Sequence, residues 1–260
     1  RLLQWRSEGR FVLLITNAPR TVDAVGDMLR RVGLPEDAWD ALSSSGEAGI
    51  AALKQFGEPV GFLGTLEDRA IVQARGLPIT DAEDFLHLAA TGLDEQRQEV
   101  EQYRAQLGEW ARRGVVMHCL NPDRVVIHRG AAMVCAGALA DIYEALGGRV
   151  VWYGKPYPAI YRHALGLAGN PPREAVLAVG DGLQTDVLGA ARQGGAVIHR
   201  ARDVPRAHEL LHVLDDEVDD GSFQRRTMIA EPRHDHRLDL RARQRRSHRG
   251  LRLGRHGVAR

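Results

Sequence analysis

The sequence predicts an α/β fold: a doubly wound parallel sheet with a second α/β unit inserted into it. Three observations predict it. Short, continuous apolar runs recur along the chain, as strands covered on both faces require. Each flanking run is followed by a polar loop and a helix-period segment, the order of a strand–helix–strand crossover. A long middle stretch separates the first and last of these units and has an alternation of its own, enough for an independent domain.

The elements follow in order. RLLQWRSEGR (1–10) reads as a helix. FVLLIT (11–16) reads as a strand buried on both faces, ending in polar residues. RTVDAVGDMLRRVG then places Val22, Val25, Leu29 and Val32 on one helical face, and Gly33 closes it. DALSSSG (40–46) predicts a short strand running into a Ser/Gly turn. In the middle stretch, VGFLGT (60–65), DFLHLAA (84–90) and VVMHCL (115–120) predict strands. Residues 96–114 predict one long amphipathic helix, and AGALADIYEALGG (136–148) another. EAVLAVG (174–180) predicts a second buried strand of the flanking sheet, followed by a loop and the helix TDVLGAARQG. GAVIHR (195–200) predicts a third. The expected division is a discontinuous core of 1–56 and 151–213, an inserted unit of 57–150, and an acidic linker with a basic tail over 214–260.

Composition excludes several classes. With 44% hydrophobic and 27% charged residues in 260, the chain has an ordinary soluble balance, and it has no apolar run long enough for a membrane span. Cys119 and Cys135 are too few for a disulfide framework. Their apolar surroundings predict reduced core residues of a cytoplasmic protein. The net charge of +1 hides a split: residues 222–260 hold twelve arginines against Glu231, Asp235 and Asp239, leaving an acidic body. The tail has too few large apolar residues to pack a core. It reads as out-of-frame GC-rich coding. The competing reading, a nucleic-acid or membrane-surface tail, lacks interleaved aromatics, so neither partner is expected. His234 and His236 around Asp235 read as a surface cluster.

The candidate chemistry lies where strands end, since ligands of α/β sheets gather at the strands' carboxyl ends. The first strand ends in Thr16 and Asn17. The return from the middle stretch gives Gly154-Lys155-Pro156. The strand 174–180 runs into Gly180-Asp181-Gly182-Leu183-Gln184-Thr185-Asp186. One hydroxyl, one ammonium and two carboxylates suit a phosphate and a hard divalent cation such as Mg2+, which takes one or two carboxylates plus phosphate oxygens. Lys155 is one of two lysines in the chain, the other being Lys54. A compact ammonium between a glycine and a proline fits a crowded pocket that the wide guanidinium fork would not. Each residue also has a plain structural reading: Thr16 as a helix cap, Lys155 as a solvated charge, Asp181 as a turn former.

LLITNAPR, YGKPYPAIY and VLAVGDGLQTD, in that order, resemble motifs two, three and four of the haloacid dehalogenase superfamily of phosphohydrolases. CLNPDRVV (119–126) and the stretch 135–156 resemble its class IIA branch, whose cap domain is inserted between motifs two and three. The resemblance runs from residue 1 to about 213. It implies a Rossmann-like core with an inserted α/β cap, and Mg2+-dependent hydrolysis of a small phosphorylated metabolite, such as a sugar phosphate or nucleotide, through an aspartyl-phosphate. It implies that Thr16 and Asn17 bond the phosphoryl group and that Lys155 pairs with it. Asp181 and Asp186 would serve the metal, and Asn121, Asp123 and Gly182 would face the substrate. Cap helices of this group often pair, which implies a homodimer through the cap.

One departure stands out. No Asp-x-Asp-Gly or Asp-x-x-Gly follows an apolar strand before Thr16, and the first acidic residue is Glu8. The expectation is a chain truncated at the N-terminus, without nucleophile or first strand, and inactive as written. The alternative is a non-catalytic phosphate- or metabolite-binding remnant. A dinucleotide-binding domain is disfavoured, because GDGLQTD lacks the Gly-x-Gly-x-x-Gly spacing.

Overall fold

The computed structural model describes residues 1–128, 131–194 and 196–199. The chain opens with helix α1 (Leu2–Ser7), then strand β1 (Leu13–Thr16) and helix α2 (Val22–Arg31). The Thr21 side chain accepts a hydrogen bond from Ala24 N and so caps α2. Strand β2 (Ala41–Ser44) lies parallel to β1, with Thr16 opposite Ser44. Next come α3 (Ser45–Leu53), β3 (Val60–Leu63), α4 (Leu66–Ala74), β4 (His87–Ala90), α5 (Arg104–Arg112) and β5 (Val116–Cys119). The antiparallel pair β6 (Val125–His128) and β7 (Ala131–Val134) precedes α6 (Ala136–Ala145) and β8 (Arg149–Trp152). Helix α7 (Pro158–Leu167) leads to β9 (Leu177–Gly180). A wide helical turn over Leu183–Val187 continues into α8 (Leu188–Arg192), and β10 (Ala196–His199) follows.

The fold is α/β. The largest sheet is parallel and four-stranded, in the order β3-β4-β5-β8. Its side chains alternate between two cores, as the two-residue period of a strand demands. Leu88, Ala90, Met117 and Cys119 pack on one face with Leu107 and Trp110 of α5 and Leu139, Ala140 and Tyr143 of α6. Val60 and Ala89 pack on the other with Val72 of α4, Leu120, Tyr153, and Ile50 and Leu53 of α3. Helix α3 follows β2 directly, so it ties the first half of the chain to this sheet.

The other parallel strands form two separate pairs, β1-β2 and β9-β10. One layer of helix covers both. Ile160 and Tyr161 of α7 pack with Val187, Ala190 and Val197, and Ile15 of β1 and Ala178 of β9 lie against the same cluster. Among the described residues, β1 pairs only with β2 and β9 only with β10.

That arrangement corrects two expectations. Neither flanking strand is buried on both faces: β1 is half-exposed along its length, and Leu177 and Val179 of β9 are 38% and 43% exposed. Among the described residues, each has a strand neighbour on one edge only.

Other differences are local. Ser45 and Gly46 begin α3 instead of forming a turn, because the Ser44 side chain accepts from Glu47 N and caps the helix. The single helix expected over 96–114 begins only at a 3-10 turn, Val100–Tyr103. Asp94 holds the chain before it in another shape, accepting from the backbone N–H of Gln96 and Arg97 and from the Arg97 guanidinium. Such side-chain turns compete with helix. Val32 lies past the end of α2 and is exposed. The hairpin β6-β7 was not foreseen, since its apolar residues show no alternation toward a core. The linker and tail over 214–260, with His234 and His236, lie outside the described residues.

Candidate active site

Thr16 is the last residue of β1, and its Oγ accepts a bond from Ala18 N at 3.2 Å, which turns the chain out of the strand. Asn17 follows, almost fully buried, and its carboxamide is spent on two distant segments. Its Nδ2 donates to Asp123 Oδ1 at 2.9 Å and to the Lys155 carbonyl at 3.2 Å, while its Oδ1 accepts from Lys155 N at 2.7 Å. Asn17 therefore clamps the backbone of the lysine both ways.

Ser45 supports this loop from behind. It is fully buried, and its hydroxyl contacts the carbonyl oxygens of Asn17 at 2.7 Å, Ala18 at 3.0 Å and Leu120. The sequence reading missed Ser45. Its only signal was three serines at a strand end, which equally describes a turn.

Lys155 reaches the site from the end of β8. Gly154 before it has φ of 141°, where a Cβ would sit 2.9 Å from Asn17 Oδ1, so a glycine is needed for the close approach. The Lys155 ammonium lies 2.7 Å from Asp186 Oδ1, with the two side chains 17% and 19% exposed. The second Asp186 oxygen accepts from Gly182 N at 3.0 Å and from Thr185 Oγ at 3.4 Å. A Cβ on Gly182 would fall 2.8 Å from Asp186 Oδ2, so the loop closes on the carboxylate only because that position is bare. Tyr161 of α7 steadies the loop by donating to the Thr185 carbonyl at 3.3 Å. Burial, and Asp186 nearby, raise its phenol so that it stays protonated. Asp181 follows β9 directly and is exposed.

The structure thus brings together Asn17, Asp123, Lys155, Gly182 and Asp186 through hydrogen bonds, with Thr16 and Asp181 adjacent in the chain. Asn121 is buried, and its Oδ1 accepts from Asp123 N at 3.3 Å, an Asn-Pro-Asp turn that aims Asp123 at Asn17. Its side chain serves the turn. Cys119 supplies no nucleophile, because burial pushes its thiol up to about 12.

Among the described residues there is no cluster of three or more His, Cys, Asp or Glu that could hold a metal alone. Asp181 and Asp186 are two hard oxygen donors in one loop, which fits Mg2+, an ion that completes its shell with water and phosphate oxygens. No helix among the described residues is long and apolar enough to cross a membrane.

Loops at the ends of parallel strands that bring the Lys155 ammonium onto the Asp186 carboxylate define an α/β protein with a charged strand-end site. The comparisons place it further. A family model described as HAD-hydrolase-like matches residues 152–220. A solved hydrolase of the haloacid dehalogenase-like family from Brucella suis is 32% identical. The match covers 76% of this chain and 75% of that one, with a TM-score of 0.66. The chain belongs to the haloacid dehalogenase-like hydrolases. A p-nitrophenyl phosphatase from Archaeoglobus fulgidus shares the fold at 20% identity, covering 81% of this chain and 82% of that one, TM-score 0.60. A glycerol phosphate phosphatase from Mycobacterium tuberculosis, solved with magnesium, is 25% identical over 76% of this chain and 60% of that one, TM-score 0.59. No curated protein matches the chain.

Proposed function

We propose that this chain carries the phosphate- and Mg2+-binding part of a class IIA phosphomonoester hydrolase acting on a small phosphorylated metabolite. The Lys155–Asp186 pair at 2.7 Å, with the lysine backbone clamped by Asn17, carries this reading. It places a compact cation where three chain segments meet. In phosphoryl transfer the protein's main work is to hold and neutralise the phosphoryl oxygens, and Lys155 and Thr16 are the residues for that task here. Asp181 and Asp186 would hold Mg2+, which when bound supplies further charge neutralisation. Asp123, tied to Asn17, links the segment 57–150, the proposed cap, to the phosphate loop. Closure of such a cap excludes water and selects the leaving group.

The reaction also needs an attacking carboxylate, and the only acid ahead of Thr16 is Glu8, just past α1. The residues assigned here would bind phosphate and Mg2+, and the attacking carboxylate is not among them. Hydrolysis of p-nitrophenyl phosphate tests this. The expected result is background release from the chain, and Mg2+-dependent release once an apolar strand ending in Asp-x-Asp is fused ahead of residue 1. Orthophosphate that binds the chain, with no release from the fused form, would favour the non-catalytic binding reading.

A further inference from the structure

Tyr153 stands directly before the Gly154–Lys155 turn, and its hydroxyl is the inner end of a buried chain of side chains. His118 of β5, 1% exposed, places Nδ1 3.0 Å from that hydroxyl and Nε2 3.0 Å from Nδ1 of His87 on the neighbouring strand β4. Phe56 stacks on the His87 ring, centroids 4.0 Å apart, at the outer end. Burial, and His87 next to it, push His118 down to about 3, so its ring is neutral with a single N–H. Burial pushes the Tyr153 phenol up to about 12, so it keeps its proton. Two arrangements make both bonds: Tyr153 O–H donates to His118 Nδ1 and His118 Nε2–H to His87 Nδ1, or His87 Nδ1–H donates to His118 Nε2 and His118 Nδ1–H to the Tyr153 oxygen; the first also uses the Tyr153 proton. Two imidazoles without a third ligand do not make a metal site, and among the described residues no third ligand joins them.

We propose that His118 and Tyr153 are positioning residues that set the reach of Lys155 into the phosphate site. The proposal rests on the reading of Lys155 as a phosphate ligand. The lysine turn is held from two sides. Downstream, Asn17 grips the Lys155 backbone. Upstream, Tyr153 is fixed by its N–H on the Cys119 carbonyl at 3.0 Å, by packing with Leu120 and Ala48, and by its hydroxyl on His118. Gly154 between them has no side chain to hold it. Removing the hydroxyl bond frees the Tyr153 ring and, through Gly154, the direction in which the ammonium points.

The two lysines make the test direct. Lysine amines carrying 13C-methyl labels give one NMR signal from Lys155 and one from Lys54, which serves as internal control. In Tyr153→Phe and His118→Leu the Lys155 signal is expected to shift or broaden while Lys54 stays. Orthophosphate affinity in the presence of Mg2+ should fall about three- to tenfold, the worth of one hydrogen bond. His118→Asn, whose amide oxygen can accept the Tyr153 proton near the position of Nδ1, should restore both readings, which a merely space-filling role would not. If His118→Leu does not fold, Tyr153→Phe decides alone, since it removes a single oxygen. A Lys155 signal and affinity unchanged in Tyr153→Phe would overturn the proposal, as would a folded His118→Asn no better than His118→Leu. If the parent protein binds no orthophosphate but its Lys155 signal still moves in Tyr153→Phe, the phosphate reading fails and the positioning role stands.

Discussion

The Lys155 ammonium sits 2.7 Å from Asp186 Oδ1, joining a turn at residue 155 to a loop 31 positions further along. A charge-assisted bond between two mostly buried groups is worth more than a surface pair. Lys155→Met is therefore expected to cost about 1–3 kcal/mol in urea unfolding, by leaving the carboxylate without its cation. Orthophosphate affinity should drop at least about tenfold. Lys155→Arg should also lose binding, because the planar fork does not fit the space of the ammonium. Calorimetric titration of both variants checks this, and near-parental affinity in Lys155→Arg would contradict it.

Asn17 makes three hydrogen bonds, to Asp123 and to both backbone groups of Lys155. Asn17→Ala leaves a part-buried N–H and a carboxylate without partners, at a cost of about 2 kcal/mol. A Tm lower by roughly 4–8 °C is expected in thermal melting. Asn17→Asp should be no better, since it replaces a donor to Asp123 by a second carboxylate.

Stability should fall with acid through the buried histidines. His118 is pushed from 6.5 to about 3, chiefly by burial, and burial lowers His163 in the same direction. The unfolded chain takes up protons that the folded chain refuses. The contribution is thus complete above pH 6.5 and is lost as pH falls toward 3. For His118 the loss is about 2 kcal/mol by pH 5. Urea midpoints at pH 8, 6.5 and 5 should converge between the parent and His118→Asn as pH falls, because the variant lacks this term.

Gly137 at the start of α6 touches the Asn-Pro-Asp turn so closely that a Cβ there would overlap the carbonyl oxygens of Pro122 and Asp123. Backbone cannot yield as a side-chain tip can. Gly137→Ala is expected to destabilise by about 2–3 kcal/mol, despite better helix propensity. Because Asp123 bonds Asn17, orthophosphate affinity should fall as well.

The edges of β1 and β9 leave backbone groups without strand partners among the described residues, and Leu177 and Val179 stand exposed beside them. Such edges pair with other chains. Self-association measured by light scattering should rise with concentration, and Val179→Lys should reduce it.

Much of the fold was legible because burial imposes a period. VGFLGT, DFLHLAA and VVMHCL read as strands, and 60–63, 87–90 and 116–119 form strands that are largely buried. FVLLIT and EAVLAVG carry the same pattern, yet their strands are half-exposed. Sequence records the surface a strand is built to bury, not whether a neighbour is present to bury it. In the site, Lys155 and Asp186 were marked by rarity and by position at strand ends. Ser45, His118 and Tyr153 were not marked. A buried serine at a helix start, or a buried histidine inside a strand, acquires its role only from partners 28 to 75 positions away.

The most direct test of the account follows the Lys155 signal in the 13C-methyl-lysine spectrum while orthophosphate is added in the presence of Mg2+. The account predicts a saturable shift of Lys155, abolished in Asp181→Asn, with Lys54 unmoved. A Lys155 signal that stays in place, or that moves only in step with Lys54, would contradict it.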